Sequence, residues 1–293
     1  MSEMNPFASR GERSVSMFAK PLPKPVEAPP EQIEDLEDRF GIQEYLGVEM
    51  NYEVRTFFKA LVEQIGEEEV RKSILESEYT VFDDEGGIIN LDLNSLTSLP
   101  EGFTFPEIGG NLDLYSLTSL PEGVTFPEIK RNLDLSSLTS LPEGCTFSEI
   151  GGNLNLSSLK SLPEGFTFPE IGGDLYLDSL TSLPEGFTFP EIGGDLYLDS
   201  LESIPEEFTF TEVKGNLNLV SLKSLPEGFT FPEIGGYLSL RSLKSLPEGF
   251  TFPEIGGNLY LDSLTSGKGV RIPASCRGRV TMNKNALNEI EWI

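Results

Sequence analysis

The chain has 293 residues, 48 acidic against 21 basic side chains, a formal net charge of −27 and no histidine. A charge of this sign repels nucleic acid and anionic membranes and favours a basic partner, although it also serves solubility alone. Without histidine, the commonest general base and the commonest zinc ligand are missing, and the two cysteines are too few for a disulfide framework.

Residues 1–30 are predicted to be a disordered tail that ends in a proline-rich linker. The first 20 residues have no apolar periodicity, and the segment PLPKPVEAPP favours a stiff, extended chain. The N-terminus has no secretory hydrophobic core, and no apolar run reaches the roughly 20 residues that span a bilayer. We therefore expect no membrane insertion. The compartment stays open: cytoplasmic, or exported as an effector by a non-classical route.

Residues 31–87 are predicted to form a helical region. Asn51 is an expected helix N-cap, and apolar residues at helical spacing follow it up to Gly66. These apolar residues are Val54, Phe57, Phe58, Leu61, Val62 and Ile65. Two shorter helices are expected around residues 33–40 and 70–75. The region is either a cap over the edge of the first repeat or a separate interaction module.

Residues 88–266 are predicted to form nine coils of a 21-residue unit, NLxLxSLxSLPEGFTFPEIGG, which begins nine times without an insertion and is cut short after Ser266 in the ninth unit. A fixed period of this length is typical of a solenoid, in which each unit buries its apolar face against its neighbours. The nine leucine pairs that begin the units are Leu91/Leu93, Leu112/Leu114, Leu133/Leu135, Leu154/Leu156, Leu175/Leu177, Leu196/Leu198, Leu217/Leu219, Leu238/Leu240 and Leu259/Leu261. The predicted fold class is a mostly β repeat solenoid of parallel coils with a small α-helical N-terminal region.

Each part of the unit has a predicted structural role. The leucines of NLxL alternate with polar residues, so a short strand directs them inward and the residues between them outward. Pro-Glu-Gly is a turn, Phe-Thr-Phe is a second alternating stretch with both rings inward, and the glycine pair makes the next corner. Parallel coils about 4.8 Å apart would make the nine units a rod roughly 40 Å long.

The repetition argues against a catalytic or metal site. Ser95 and Ser98 recur in all nine units, whereas a nucleophilic serine needs a base and an orienting partner at one place. Glutamates such as Glu101 and Glu107 recur as lines of exposed charge, which is not a coordination cage. We therefore expect no enzyme activity, no catalytic residue, no metal site and no cofactor.

The last, irregular coil has the spacing LxLxxNxLxxL, formed by Val280, Met282, Asn285, Leu287 and Ile290. This spacing, and the Leu-Pro of the regular units, resembles bacterial leucine-rich repeats, particularly the short form found in secreted effectors. The resemblance covers roughly residues 88–291 and implies protein recognition through the sheet of LxL strands. The regular units depart from the family: their loop is two residues shorter and has no asparagine for the family's buried ladder. This departure leaves the curvature of the solenoid open.

Variation among the nine units gathers at the outward positions of the first strand. The first outward column is Asp92, Asp113, Asp134, Asn155, Tyr176, Tyr197, Asn218, Ser239 and Tyr260, and the second includes Tyr115, Asp178, Asp199, Arg241 and Asp262. Aromatic residues beside carboxylates suit a basic or arginine-rich partner. Neutral drift on an exposed face is the alternative. The predicted partner-binding residues are Asp113, Tyr115, Tyr176, Asp178, Tyr197, Asp199, Arg241, Tyr260 and Asp262.

Residues 267–293 are predicted to be a C-terminal capping coil, and their charge is opposite in sign to that of the repeats. This segment contains five basic and two acidic side chains, whereas residues 90–266 contain 26 acidic and 7 basic side chains. The segment either covers the last coil or supports head-to-tail association. For the whole chain we expect a non-enzymatic scaffold that binds a protein partner, with a structural spacer rod of a cell or virion surface as the alternative.

Overall fold

A computed structural model of the chain describes residues 50–70, 72, 77 and 79–293. The predicted tail and linker, the helix expected around residues 33–40 and most of the helix expected around residues 70–75 lie outside the described residues. The described chain is a parallel β-solenoid of about ten coils with a helix at its N-terminal end. The predicted fold class is therefore confirmed, and the repeat period of about 21 residues is the period of the coils.

One eleven-stranded sheet runs along the solenoid, in the order β1-β2-β3-β5-β7-β8-β9-β10-β11-β12-β14. Only β1 is antiparallel to its neighbour; the other pairs are parallel. The strands of this sheet are β1 (Val81–Phe82), β2 (Ile88–Asp92), β3 (Leu112–Asp113), β5 (Leu133–Asp134), β7 (Leu154–Asn155), β8 (Leu175–Tyr176), β9 (Leu196–Tyr197), β10 (Leu217–Asn218), β11 (Leu238–Ser239), β12 (Leu259–Leu261) and β14 (Val280–Met282).

In this sheet, residues that stand 21 positions apart in the sequence pair with one another on adjacent strands. Leu112 pairs with Leu133, and its amide donates to the carbonyl of Asn132 at 2.9 Å, while the amide of Leu114 donates to Asp134 at the same distance. The same two bonds recur from coil to coil, and both leucines of each pair are fully buried. A shift by one residue would turn every leucine outward, so burial of the leucine columns specifies this register.

The predicted second strand pairs in only one place within the regular coils. There, β4 (Thr125–Phe126) lies parallel to β6 (Thr146–Phe147). In most units a proline follows the second phenylalanine and has no amide to donate to the preceding coil. Ser148 replaces that proline, and its amide donates to the carbonyl of Phe126 at 3.1 Å. Thr211 also stands in place of this proline, but no strand pair forms there, and its hydroxyl donates to the carbonyl of Pro190 in the preceding coil. Elsewhere the coils meet on this side through packing and isolated isoleucine bridges such as Ile108↔Ile129.

Phenylalanine columns fill the core behind these segments. Phe126 and Phe147 stack with ring centroids 4.9 Å apart and an interplanar angle of 5°. The rings of Phe187 and Phe189, within one coil, meet edge to face at the same separation. Cys145 occupies a phenylalanine position and is buried, and this burial raises the pKa of its thiol to about 12. The thiol is thus a small core filler, as its position in the repeat predicts.

Helix α1 (Tyr52–Ile65) packs its phenylalanines onto the first coil. The Asn51 side chain accepts a hydrogen bond from the amide of Val54 at 3.0 Å, which confirms the predicted N-cap. The ring of Phe57 lies 5.6 Å from that of Phe103, so the aromatic core continues into the helix. A short helix, α2 (Glu67–Val70), follows. No helix of the described residues is long and apolar enough to cross a membrane.

The last coil has a different construction from the regular units. It contains β13 (Arg271–Ile272), a 3-10 helix (Ala274–Cys276), α3 (Lys284–Leu287) and β15 (Glu291–Trp292), and β13 pairs with β15. The Arg279 guanidinium donates to the carbonyls of Gly256, Gly257 and Ser275. Asn285 is exposed on α3, so the asparagine that matched the family spacing forms no buried ladder.

Candidate interaction surface

The outward residues of the first strands form a continuous surface, here called the strand face. It consists of the two columns that begin with Asp92 and Asn94. Because parallel strands lie about 4.8 Å apart in register, equivalent side chains of successive coils touch one another. Most of these side chains are half-buried, and Ser239 is buried. The face is therefore partly ordered by its own neighbours.

An asparagine and aspartate ladder lies beside the strand face. In the first seven units, the residue before the leucine pair accepts, through Oδ1, the backbone amide of its counterpart in the next coil, at 2.7–3.1 Å. Its members are Asn90, Asn111, Asn132, Asn153, Asp174, Asp195 and Asn216. This ladder stands before the leucine pair, so it is not the family's ladder, for which the loop of the regular units has no asparagine. It is not among the features predicted from the sequence.

The ladder explains the second glycine of each unit. A Cβ atom on Gly173 would lie 2.2 Å from the Oδ1 of Asn153, and one on Gly194 would lie 2.2 Å from the Oδ1 of Asp174. Because glycine has no side chain, it leaves room for the Oδ1 atom of the ladder residue to accept the backbone amide of the next coil. The glycine corner and the ladder thus form one structural device.

Tyr176 and Tyr197 stack on adjacent coils. Their ring centroids are 4.8 Å apart with an interplanar angle of 3°, and their hydroxyls donate to the Oδ2 atoms of Asp174 and Asp195 at 3.0 and 2.9 Å. Partial burial and the acceptor carboxylate raise the pKa of Tyr176 to about 12, and the same causes raise the pKa of Tyr197. The two ladder carboxylates therefore hold both rings in fixed positions.

Tyr260 lies three coils beyond Tyr197, about 14 Å along the solenoid, and Tyr237 lies in the coil before it. Tyr237 and Tyr260 meet edge to face with centroids 5.9 Å apart. The guanidinium of Arg241 lies 4.2 Å above the ring of Tyr260 and donates to Asp262 at 2.8 Å. Tyr237 is a residue that sequence reasoning missed, because it stands in the ladder column rather than in an outward column. The signal was available: every other member of that column is asparagine or aspartate.

Asp178 and Asp199 are equivalent residues of adjacent coils beside the tyrosine stack. Partial burial, and secondarily the charge of Asp178, raise the pKa of Asp199. The amide nitrogen of Asn218 donates to Asp199 and holds its carboxylate in place. A cationic group brought to this pair would relieve the repulsion between the two carboxylates.

Asp113 and Tyr115 lie apart from the tyrosines. Asp113 is three coils from Tyr176, about 14 Å along the solenoid, and partial burial, together with neighbouring acidic groups, raises its pKa. Tyr115 is 48% exposed, and its amide donates to Asn94 and Asp113. The structure therefore divides the nine predicted residues into three groups along the strand face. They are Tyr176, Asp178, Tyr197 and Asp199 on two adjacent coils, Arg241, Tyr260 and Asp262 two and three coils further on, and Asp113 and Tyr115 nearer the N-terminal end.

Four tyrosines and their carboxylates form what we call the tyrosine patch: Tyr176, Tyr197, Tyr237 and Tyr260 with Asp174, Asp178, Asp195, Asp199 and Asp262. Aromatic faces and carboxylates together suit a guanidinium, which stacks on a ring and donates to oxygen. Arg241 makes this pair of contacts within the chain itself. The described residues contain no group of three or more histidine, cysteine or acidic side chains arranged to hold a metal ion.

Comparison of the chain with protein-family models, with curated proteins and with solved structures found no match.

Proposed function

We propose that the chain is a non-enzymatic scaffold of the leucine-rich-repeat type that binds a protein partner through the strand face. The observation that carries the proposal is the tyrosine patch: two pairs of tyrosine rings, each pair in contact across adjacent coils, with the rings of the first pair hydrogen-bonded to carboxylates. The partner we infer presents a basic, arginine-containing segment.

Rigidity of the patch supports this proposal. Tyrosine offers a large contact area with few rotatable bonds, and the hydrogen bonds to Asp174 and Asp195 hold the rings in place before a partner arrives. Binding then costs little side-chain ordering, which is the main gain from a preorganised surface. The acidic field of the repeats also draws in a basic partner and accelerates encounter.

The test is titration of the full chain with an arginine-rich peptide and with a lysine-rich peptide of equal length and charge. We expect the arginine peptide to bind more tightly, since only guanidinium stacks flat on a ring while donating to a carboxylate. Replacing Tyr176, Tyr197 and Tyr260 with asparagine should lower the affinity for the arginine-rich peptide by about tenfold or more, as expected for aromatic anchors.

The variant has a matched structural control. Asn155 and Asn218 occupy the same column as Tyr176 and Tyr197, so the coil accepts asparagine there. The control replaces the exposed tyrosines off the patch, Tyr52 and Tyr79, with asparagine. Equal binding by the patch variant and the control, or equal affinity for both peptides, would contradict the proposal.

A spacer rod is a second candidate, favoured by the unbroken register of the sheet from β2 to β12. The function of a spacer depends on the length of the solenoid and not on which residues form the strand face. Deletion of residues 132–173 removes two whole periods and should retain the fold. A spacer would then lose reach in proportion to the deleted length, whereas a scaffold that binds through the tyrosine patch keeps its affinity for the arginine peptide.

A further inference from the structure

Among the described residues, no strand pairs with the outer edge of β1 or of β14, the two outermost strands of the main sheet. In every regular coil the leucine amides donate to the carbonyls of the following coil. Val280 and Met282 of β14 stand in register with Leu259 and Leu261, and no further strand of the described residues pairs beyond β14. At the other end the sheet closes with β1, a strand of two residues. Uncovered edges offer backbone groups to another chain.

Exposed apolar side chains gather at the same two ends. Among the described residues, the large hydrophobic side chains that are exposed are Tyr52, Tyr79, Val81, Tyr115 and Ile293. Tyr79 is 73% exposed and Val81 39% at the N-terminal end, and Ile293 is 54% exposed at the C-terminal end. Only Tyr115 belongs to the regular coils, so the apolar exposure is a property of the ends.

The charges of the two ends are opposite. An exposed acidic turn, Asp83 to Glu85, follows β1 directly. The last coil carries exposed Lys268 and Lys284, which take part in no ion pair among the described residues, while Arg271 pairs with Glu291. Opposite charge on complementary surfaces steers association and fixes orientation.

We propose that the basic C-terminal coil of one molecule docks onto the acidic N-terminal end of a second copy of this chain. The contact is heterologous, so the assembly always keeps one free acidic end and one free basic end and grows as a head-to-tail rod. In such a rod the acidic repeat regions of neighbouring molecules lie one after the other rather than side by side. Salt near 0.1 M screens the repulsion between charges more than about 10 Å apart. The end-to-end contact itself acts at shorter range.

Sedimentation velocity of the full chain tests the proposal. In about 0.1 M salt, we expect the sedimentation coefficient to rise with protein concentration. In about 1 M salt, where charges are screened beyond about 3 Å, this rise should shrink. The variants K268E/K284E and D84K/E85K should each lose the concentration dependence, because each makes the two ends alike in charge.

Mixing the two variants separates head-to-tail docking from other modes. Each variant retains the native end that the other has lost, so an equimolar mixture should associate again. K160E/K244E, which makes the same change in net charge on exposed lysines of the regular coils, is the control and should associate as the unaltered chain does. A monomer at every concentration, association that survives either end variant, or equal loss in the control would overturn the proposal.

Discussion

At the scale of single residues, Glu207 adopts a backbone conformation that its counterparts reserve for glycine. Its φ is 64°, and it is the only non-glycine residue of the described chain with positive φ. The other turns place glycine there, for example Gly186 at φ 70° and Gly228 at φ 77°. A side chain in this region clashes with the backbone, at a cost of roughly 1–2 kcal/mol.

Replacing Glu207 with glycine should therefore stabilise the protein. We expect a gain of about 0.5–1 kcal/mol in the free energy of unfolding, because glycine relieves the strain but adds freedom to the unfolded chain. Chemical denaturation measures it. Glu206→Gly is the control, since Glu206 has no positive φ, and it should not stabilise. A destabilised E207G would show that the turn is unstrained.

Tyr176 should titrate late in the folded protein. Its pKa is about 12 rather than the usual 10.0, because partial burial and donation to Asp174 favour the neutral hydroxyl. D174N keeps an oxygen for the ladder but removes the carboxylate, so it should lower the pKa of Tyr176. Tyrosinate absorbance, compared with that of Y176N, measures this. An unchanged titration in D174N would contradict the assigned contact.

The same pKa has a consequence for stability. The folded pKa of Tyr176 is higher than that of the unfolded chain, so its contribution is complete below pH 10 and is lost as the pH rises to about 12. Alkali should therefore destabilise the unaltered chain more steeply than Y176N over this interval.

At the scale of the repeat element, the ladder joins one coil to the next. Replacing Asn153 with alanine removes the acceptor that lies 2.8 Å from the amide of Asp174. We expect a loss of about 1 kcal/mol in the free energy of unfolding, typical of one unsatisfied backbone donor. Denaturation experiments measure it.

Asn258 supplies the control for this change. It has the same position in the ninth unit, but its side chain donates to the Tyr260 hydroxyl instead of accepting an amide of the next coil. N258A should cost less than N153A. Equal costs would mean that the ladder bond adds nothing beyond the loss of a polar side chain.

These elements also show how far the sequence leads. The leucine spacing predicts the parallel coils and their register, because a uniform period permits only one pairing that buries every leucine. Alternation alone could not show that Asn153 reaches along the solenoid rather than into solvent. Nor could it show that a second strand pair forms where Ser148 replaces a proline but not where Thr211 replaces one.

The candidate site also has features that the sequence predicts and features that it does not. The sequence predicts that Tyr176 and Tyr197 are adjacent, and their rings stack. It does not predict Tyr237, since that residue belongs to the ladder column and reaches Tyr260 only through the placement of its side chain. The membership of all nine residues in a binding surface, Asp113 and Tyr115 included, stays a prediction.

At the scale of the whole molecule, every proposal depends on coils that stack directly on one another at a constant spacing. This stacking brings the tyrosines together, aligns the ladder and places an outermost strand at each end of the sheet. An exposed threonine in the second alternating stretch recurs in the regular coils, including Thr125, Thr209, Thr230 and Thr251. Spin labels on cysteines placed there report the stacking directly.

The label should react with the introduced cysteines only, because the native Cys145 and Cys276 are buried. Pulsed dipolar spectroscopy would measure the distance from a label at Thr125 to one at Thr209, Thr230 or Thr251, which lie four, five and six coils away. The stacked solenoid predicts separations of about 19, 24 and 29 Å, with a constant increment of about 4.8 Å per coil. Distances that fail to grow by equal steps, or a single broad distribution for all three pairs, would contradict the account.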